Sequence, residues 1–156
     1  VMMSFIYQIR ELQNGGEFVV LLFLAAWGND TLAYCTGMLI GKHKMSPILS
    51  PKKSIEGLIG GIVGAAILGA LYGLYLNTYI RFSFNPVTMF PIVCGLGGAV
   101  SVIGDLAASA IKRDSGIKDY GTLIPGHGGI LDRFDSIIFI APVIYYLTVM
   151  ISGGAI

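Results

Sequence analysis

Charge is what this chain has least of. Lys, Arg, Asp and Glu make up only 12% of the 156 residues, against about 25% in soluble globular domains. Hydrophobic residues reach 54%, and the mean hydropathy is +0.76. Such a balance excludes an ordinary water-soluble fold and predicts an all-α integral membrane helix bundle. Histidine is equally sparse: His43 and His127 are the full complement, too few and too scattered for a zinc site. The two cysteines, Cys35 and Cys94, lie apart in apolar runs without CxxC spacing; both are expected to be small buried apolar residues. No Gly-x-Ser-x-Gly elbow accompanies the His-Gly-Gly of residues 127–129, which sets aside a lipase-type oxyanion loop. "GMLIGKHK" is one residue too short between its glycines for a P-loop, with His43 where Ser or Thr should bind magnesium. The net charge of +1 argues neither for nor against nucleic acid, since the placement of charges matters more than their sum; no nucleic-acid partner is expected.

What the chain does have is long apolar stretches. A spanning helix needs about 20 largely apolar residues, because no backbone polar group can go unpaired in hydrocarbon. Four stretches qualify: 18–40, 57–76, 86–110, and 136 to the end. Asn85 before Pro86 predicts a capped helix start with proline at the first helical position, and Pro91 is a candidate bend. "VMMSFIY" is too short to span, so Val1–Ile9 is expected to be the tail of an earlier transmembrane helix. On that reading, residues 1–156 are the C-terminal catalytic membrane domain of a longer protein. Lys42, Lys44, Lys52, Lys53, Lys112, Arg113, Lys118 and Arg133 lie in two loops, and only Arg10 and Arg81 lie on the other side. The positive-inside rule then puts loops 41–56 and 111–135 in the cytoplasm. Gly57, Gly60, Gly61, Gly64, Gly69 and Gly73 form overlapping GxxxG spacings that predict close helix packing. Homodimerisation through the same glycines stays open.

Polar residues inside these spans are expensive. Asp30 lies twelve residues before Lys42, about 18 Å along a helix, where a carboxylate costs about 2.5–3.5 kcal/mol on insertion scales. Helical spacing groups it with Trp27, Thr31 and Tyr34, so either a polar cavity or simple capping by neighbouring hydroxyls would accommodate it. Asp105, Ser109 and Lys112 fall at i, i+4 and i+7, one helical stripe running toward the charged loop. A private Asp105–Lys112 pair is disfavoured by about two turns of separation.

The segment 112–136 concentrates four cations and four carboxylates. "PGHGG", 125–129, can expose successive backbone N–H groups in a phosphate-cradling nest. Asp132 and Asp135 share a face if a helix starts there, and such oxygen ligands suit Mg²⁺. "SPKKSIEG", 50–57, offers Lys52 and Lys53 to polyphosphate or to anionic headgroups.

Together these residues resemble the phosphatidate cytidylyltransferases, or CDP-diacylglycerol synthases, of the bacterial type. The resemblance rests on Ser109, Lys112, Arg113, Lys118, Asp119, Pro125, His127, Gly128, Gly129, Asp132, Arg133 and Asp135 in unbroken order. It extends upstream through "WGNDTLAYCTGMLIGKHKMSPILSPKKSIEG" and "GDLAASAIKR", with Ser54 and Ile55 standing where the family often has Thr and an aromatic. It implies transfer of CMP from CTP to phosphatidic acid at the bilayer of a bacterial inner membrane, giving CDP-diacylglycerol and pyrophosphate. Asp105, Asp132 and Asp135 would be the Mg²⁺ carboxylates, and a second, monovalent cation such as K⁺ is compatible with the family. Catalytic roles fall to Asp105, Ser109, Lys112, Arg113, Asp132, Arg133 and Asp135. Substrate binding falls to Asp30, Lys52, Lys53, Lys118, His127, Gly128 and Gly129. A CTP-dependent polyprenol or dolichol kinase, or an archaeal-type lipid cytidylyltransferase, shares the Lys-Lys-x-x-Glu-Gly element, and the intact "PGHGGILDRFD" argues against the kinases. An ion transporter or channel would use Asp30 and Asp105 as pathway carboxylates, and would leave the charged loop without a nucleotide to bind.

Overall fold

Glycine spacing and apolar run length account for most of the architecture. The computed structural model describes residues 2–46, 50–117 and 131–152, with the side chains of 46, 50–52, 131–133 and 135 left aside. Along the chain come α1 (Ser4–Glu11), α2 (Gly15–Phe23), a π-helical turn (Leu24–Gly28), α3 (Asn29–Ile40), β1 (Lys44–Ser46), β2 (Ser50–Ser54), α4 (Ile55–Tyr79), α5 (Pro86–Asp114) and α6 (Leu131–Ile151). Among the described residues, three segments are long and apolar enough to cross a membrane: Gly15–Ile40, Ile55–Tyr79 and Pro86–Asp114. The expected fourth span is shorter in its apolar part, Ser136–Ile151. With eight residues, α1 is too short to cross by itself. It is tied down through buried Ile9 and through Phe5, whose ring packs against Tyr145 and Tyr146 of α6.

Local chemistry fixes the helix ends. Asn85 Oδ1 accepts the Val87 N–H at 3.0 Å with Pro86 at the first helical position, as its sequence position predicts. Ser54 Oγ does the same for Gly57 N–H at 3.1 Å. α5 runs on to Asp114, so Lys112 and Arg113 occupy its last turn, where cations complement the helix dipole. Gly116, at φ +67°, follows that end, and only glycine takes such a conformation without strain.

The glycine edge of α4 is the seam of the bundle. Gly57, Gly61, Ala65, Gly69 and Gly73 are all buried, a four-residue rhythm that keeps one helix edge bare. Added Cβ atoms would meet Asn29 Oδ1 at 2.7 Å from Gly61, Phe90 O at 2.6 Å from Gly69 and Pro86 O at 2.6 Å from Gly73. α3 therefore packs on the first half of α4 and α5 on the second at backbone distance. Gly60 and Gly64 are likewise filled by Thr36 and Leu32 of α3. This edge is occupied within the chain and has no room for a second copy, while Ile59, Val63, Ile67 and Leu71 on the other face are exposed.

Two expectations need correcting. Cys94 is buried, but Cys35 lies on the exposed face of α3, because α3 buries only its α4-facing side. Residues 41–56, expected as a plain loop, hold an antiparallel hairpin in which Lys44 pairs with Ser54 and Ser46 with Ser50.

Replacing Gly69 with Val should lower stability by about 1–3 kcal/mol, the usual cost of overpacking. Gly95→Ala should be tolerated, since its new methyl would meet only Ala66 Cβ at 3.6 Å. Denaturant unfolding in micelles measures both, and equal behaviour of the two variants would refute the seam.

Candidate active site

The strand alternation of β2 aims the first functional side chain. Ser54 turns toward α4 to cap it, so Lys53, its neighbour, points the other way. Its ammonium lies 2.5 Å from Asp105 Oδ2 on α5. The other carboxylate oxygen of Asp105 accepts the hydroxyl of Ser136, near the start of α6. Three segments far apart in sequence thus meet on one carboxylate. The Asp105 side chain is 16% exposed and that of Lys53 35%, so their attraction is only partly screened by solvent.

The hairpin that carries Lys53 is itself gripped. Glu56, in the first turn of α4, accepts the backbone N–H of Lys42 at 3.2 Å and of His43 at 3.2 Å, and lies 2.6 Å from His43 Nδ1. Ile55 N–H donates to His43 O at 3.0 Å. The exit of α3 and the entry of α4 are in this way tied together at one end of the bundle.

Behind the Lys53–Asp105 pair lies a cavity of about 320 Å³, lined by residues of α3, α4, α5 and the hairpin, among them Asp30, Tyr34, Met45, Lys53 and Asp105. Asp30 thus lines the same cavity as Lys53 and Asp105. Thr31 does not serve as its cap through donation, for its hydroxyl donates to Trp27 O at 2.8 Å. The π-helical turn just before Asn29 inserts an extra residue in the helix, turning the following side chains by about 100° relative to an uninterrupted α-helix. Trp27 and Tyr34 are exposed on the outer surface.

The other site residues expected from the sequence divide into two groups. Ser109, Lys112 and Arg113 lie on the last turns of α5, and the described lining of the cavity includes none of them. Lys53, reached from the opposite loop, is a cation that meets Asp105. Lys118, His127, Gly128 and Gly129 lie outside the described residues. Asp132 and Arg133 fall in the first turn of α6, Asp132 one turn before the Ser136 that binds Asp105 and Asp135 directly before it; their side chains lie outside the description, as does that of Lys52. Among the described residues no cluster of three or more metal-ligating side chains occurs.

Sequence reading missed Ser136, Asn29 and Ser101. Ser101 stands four residues before Asp105 and was open to the same periodicity. Asn29 precedes Asp30 directly. Ser136 gave no local signal, since it meets Asp105 across 31 residues. The Asn29 amide and Ser101 Oγ are buried without a hydrogen-bond partner among the described residues, at about 1–3 kcal/mol for each unsatisfied group.

A carboxylate, a lysine and a hydroxyl thus meet at one end of a bundle of apolar helices. The family model of the Cytidylyltransferase family matches residues 1–151, and the chain belongs to that family. It is 36% identical over 148 residues to the phosphatidate cytidylyltransferase of Staphylococcus saprophyticus, covering 95% of this chain and 55% of that protein. With the Staphylococcus aureus protein of the same name it shares 40% identity over 145 residues, 93% of this chain and 53% of the other. The chain spans about half the length of the curated relatives it matches.

A double-mutant cycle tests the central contact. Lys53→Met and Asp105→Asn should show a coupling energy of about 0.5–3 kcal/mol in unfolding measurements, because each single change strands its partner. Strict additivity would mean that the pair carries no structural weight.

Proposed function

We propose that the protein is a phosphatidate cytidylyltransferase, transferring CMP from CTP to phosphatidic acid with release of pyrophosphate. The observation that carries this reading is the meeting of Lys53 and Ser136 on Asp105 beside a cavity, in a chain of the Cytidylyltransferase family. The hairpin end of the bundle then faces the cytoplasm of a bacterial cell, where CTP is available, as the distribution of cations favours.

An oxygen of the lipid phosphate attacks the α-phosphorus of CTP, the bond from that phosphorus to the bridging α–β oxygen breaks, and pyrophosphate leaves with the electron pair. The nucleophile is already an anion, so positioning and neutralisation of charge dominate over general-base help. Lys53 supplies positive charge at the cavity mouth and offsets the crowding of phosphate oxygens. Lys112, Arg113, Lys118 and Arg133 would hold the remaining phosphates, with Lys52 beside them and the turn at His127, Gly128 and Gly129 as a backbone cradle. Ser109 is assigned to the same surface.

The donor set suits Mg²⁺: Asp105 offers hard carboxylate oxygen at a half-buried position, and Mg²⁺ prefers one or two carboxylates together with substrate phosphates. Asp105, Asp132 and Asp135 would hold it, with a monovalent cation such as K⁺ alongside, and bound Mg²⁺ would polarise the phosphate under attack. Ser136 and Lys53 fix the rotamer of Asp105, so that the carboxylate is presented in one orientation.

Membranes containing the protein, given Mg²⁺, α-labelled CTP and phosphatidic acid, should place label in lipid. In a parallel reaction with γ-labelled CTP and a polyprenol, label in the polyprenol would indicate a kinase, and no transfer in either reaction by the full-length protein would end the enzyme reading. Asp132→Asn and Asp135→Asn should each reduce turnover by about 100-fold or more, as loss of a strong electrostatic contributor does, and should weaken the dependence on Mg²⁺. Wild-type turnover in either variant would remove that residue from the site.

A further inference from the structure

Glu56 has no part in the chemistry above and does not line the cavity, yet its carboxylate is engaged on both oxygens. Oε2 accepts the backbone N–H groups of Lys42 and His43, each at 3.2 Å, and Oε1 lies 2.6 Å from His43 Nδ1. Lys42 and His43 lead from the end of α3 into β1, while Glu56 stands in the first turn of α4. One side chain therefore closes the base of the hairpin formed by residues 44–54.

What hangs from that base is Lys53. A two-stranded hairpin is marginal in water by itself, and this one has three residues in β1, five in β2 and an irregular register between Lys44 and Ser46. The rungs nearest Lys53 are the pairing of Lys44 with Ser54 and the bond from Ile55 N–H to His43 O at 3.0 Å. One rung uses a residue that Glu56 holds, and the other uses its neighbour. The Lys53 ammonium ends a flexible four-carbon stem, so its contact with Asp105 Oδ2 requires the backbone beneath it to stay in place.

Building on the cytidylyltransferase reading, we propose that Glu56 is a positioning residue: by holding the N–H groups of Lys42 and His43 it sets the hairpin, and through the hairpin the place of the Lys53 ammonium at the cavity. Glu56 acts through Lys53 alone and touches neither substrate nor metal. Reach, rather than charge, then matters at residue 56. A glutamine has the same length; its Oε1 can take both backbone N–H groups while its Nε2 donates to Nδ1 of a neutral His43. An aspartate keeps the charge but is one methylene too short. A role in the chemistry itself, as a metal ligand or an ionic partner of the substrate site, would rank the two substitutions the other way.

The experiment measures kcat/KM for CTP, with phosphatidic acid in bilayer nanodiscs, for the full-length protein, Glu56→Gln, Glu56→Asp, Lys53→Met and the double variant Glu56→Asp with Lys53→Met. In parallel, amine labelling of Lys53 is read by mass spectrometry, and protection of the buried Cys94 from a thiol reagent reports that each variant is folded. Glu56→Gln should stay within about threefold of wild type, and Glu56→Asp should lose about 10- to 100-fold, as a misplacement on the order of 1 Å does. In the Lys53→Met background, Glu56→Asp should change kcat/KM by no more than about twofold, because its whole effect passes through the missing ammonium. Labelling of Lys53 should rise in Glu56→Asp and match wild type in Glu56→Gln. Equal losses from Glu56→Asp with and without Lys53 overturn the positioning role, as does a Glu56→Gln variant poorer than Glu56→Asp, or wild-type labelling of Lys53 in Glu56→Asp. Wild-type protein that transfers no CMP overturns the underlying activity instead, while the labelling, which needs no turnover, still decides whether Glu56 positions Lys53.

Discussion

The bare edge of α4 sets the distances on which everything else depends. Because Gly57, Gly61, Gly69 and Gly73 carry no side chain, α3 and α5 approach the same helix closely enough that an added methyl group would collide with backbone. In hydrocarbon there is little hydrophobic gain in bringing helices together, so such close contact supplies the cohesion through dispersion and weak Cα–H···O interactions. The same approach brings Asn29 of α3 against Gly98 of α5. A cavity bounded by three helices can then be narrow enough for single side chains to span it.

On that frame the polar residues gather at one end. Lys53 arrives on a hairpin held by Ser54 and Glu56, Asp105 on the long α5, and Ser136 on α6. Each comes from a different connection, and their meeting neutralises a carboxylate that would be costly at membrane depth without partners. The opposite end is built differently: Phe18, Phe82, Phe84 and Phe90 form an aromatic cluster beside the Tyr72–Glu17 hydrogen bond. One end is therefore dominated by aromatic contacts, and the other by charged and hydroxyl groups around a cavity.

Much of this was legible in the sequence because membrane proteins are strongly constrained one segment at a time. Run length gave the spans at Gly15–Ile40, Ile55–Tyr79 and Pro86–Asp114 to within a few residues, and the Asn85–Pro86 pair gave a helix start. Glycine periodicity identified the packing edge of α4. The cost of intramembrane charge singled out Asp30 and Asp105, both of which line the cavity. The hairpin left no such trace, since Pro47 and Pro51 interrupt any strand alternation in 44–54. Nor did the π-helical turn at Leu24–Gly28, whose extra residue shifts the face that simple α periodicity assigns.

The sequence by itself determined an all-α membrane bundle, its spans, its packing edge and the identity of the costly carboxylates. Those follow from local rules: hydrogen-bond satisfaction in lipid, helical period and desolvation. Only the tertiary structure decided that Lys53 meets Asp105. Helical spacing could set Ser109 and Lys112 on the Asp105 stripe, but it carried no information about Lys53, 52 residues upstream, or Ser136, 31 downstream. Those contacts depend on how α4, α5 and α6 cross, and the crossing is fixed by side-chain volumes at glycines distributed over the whole chain.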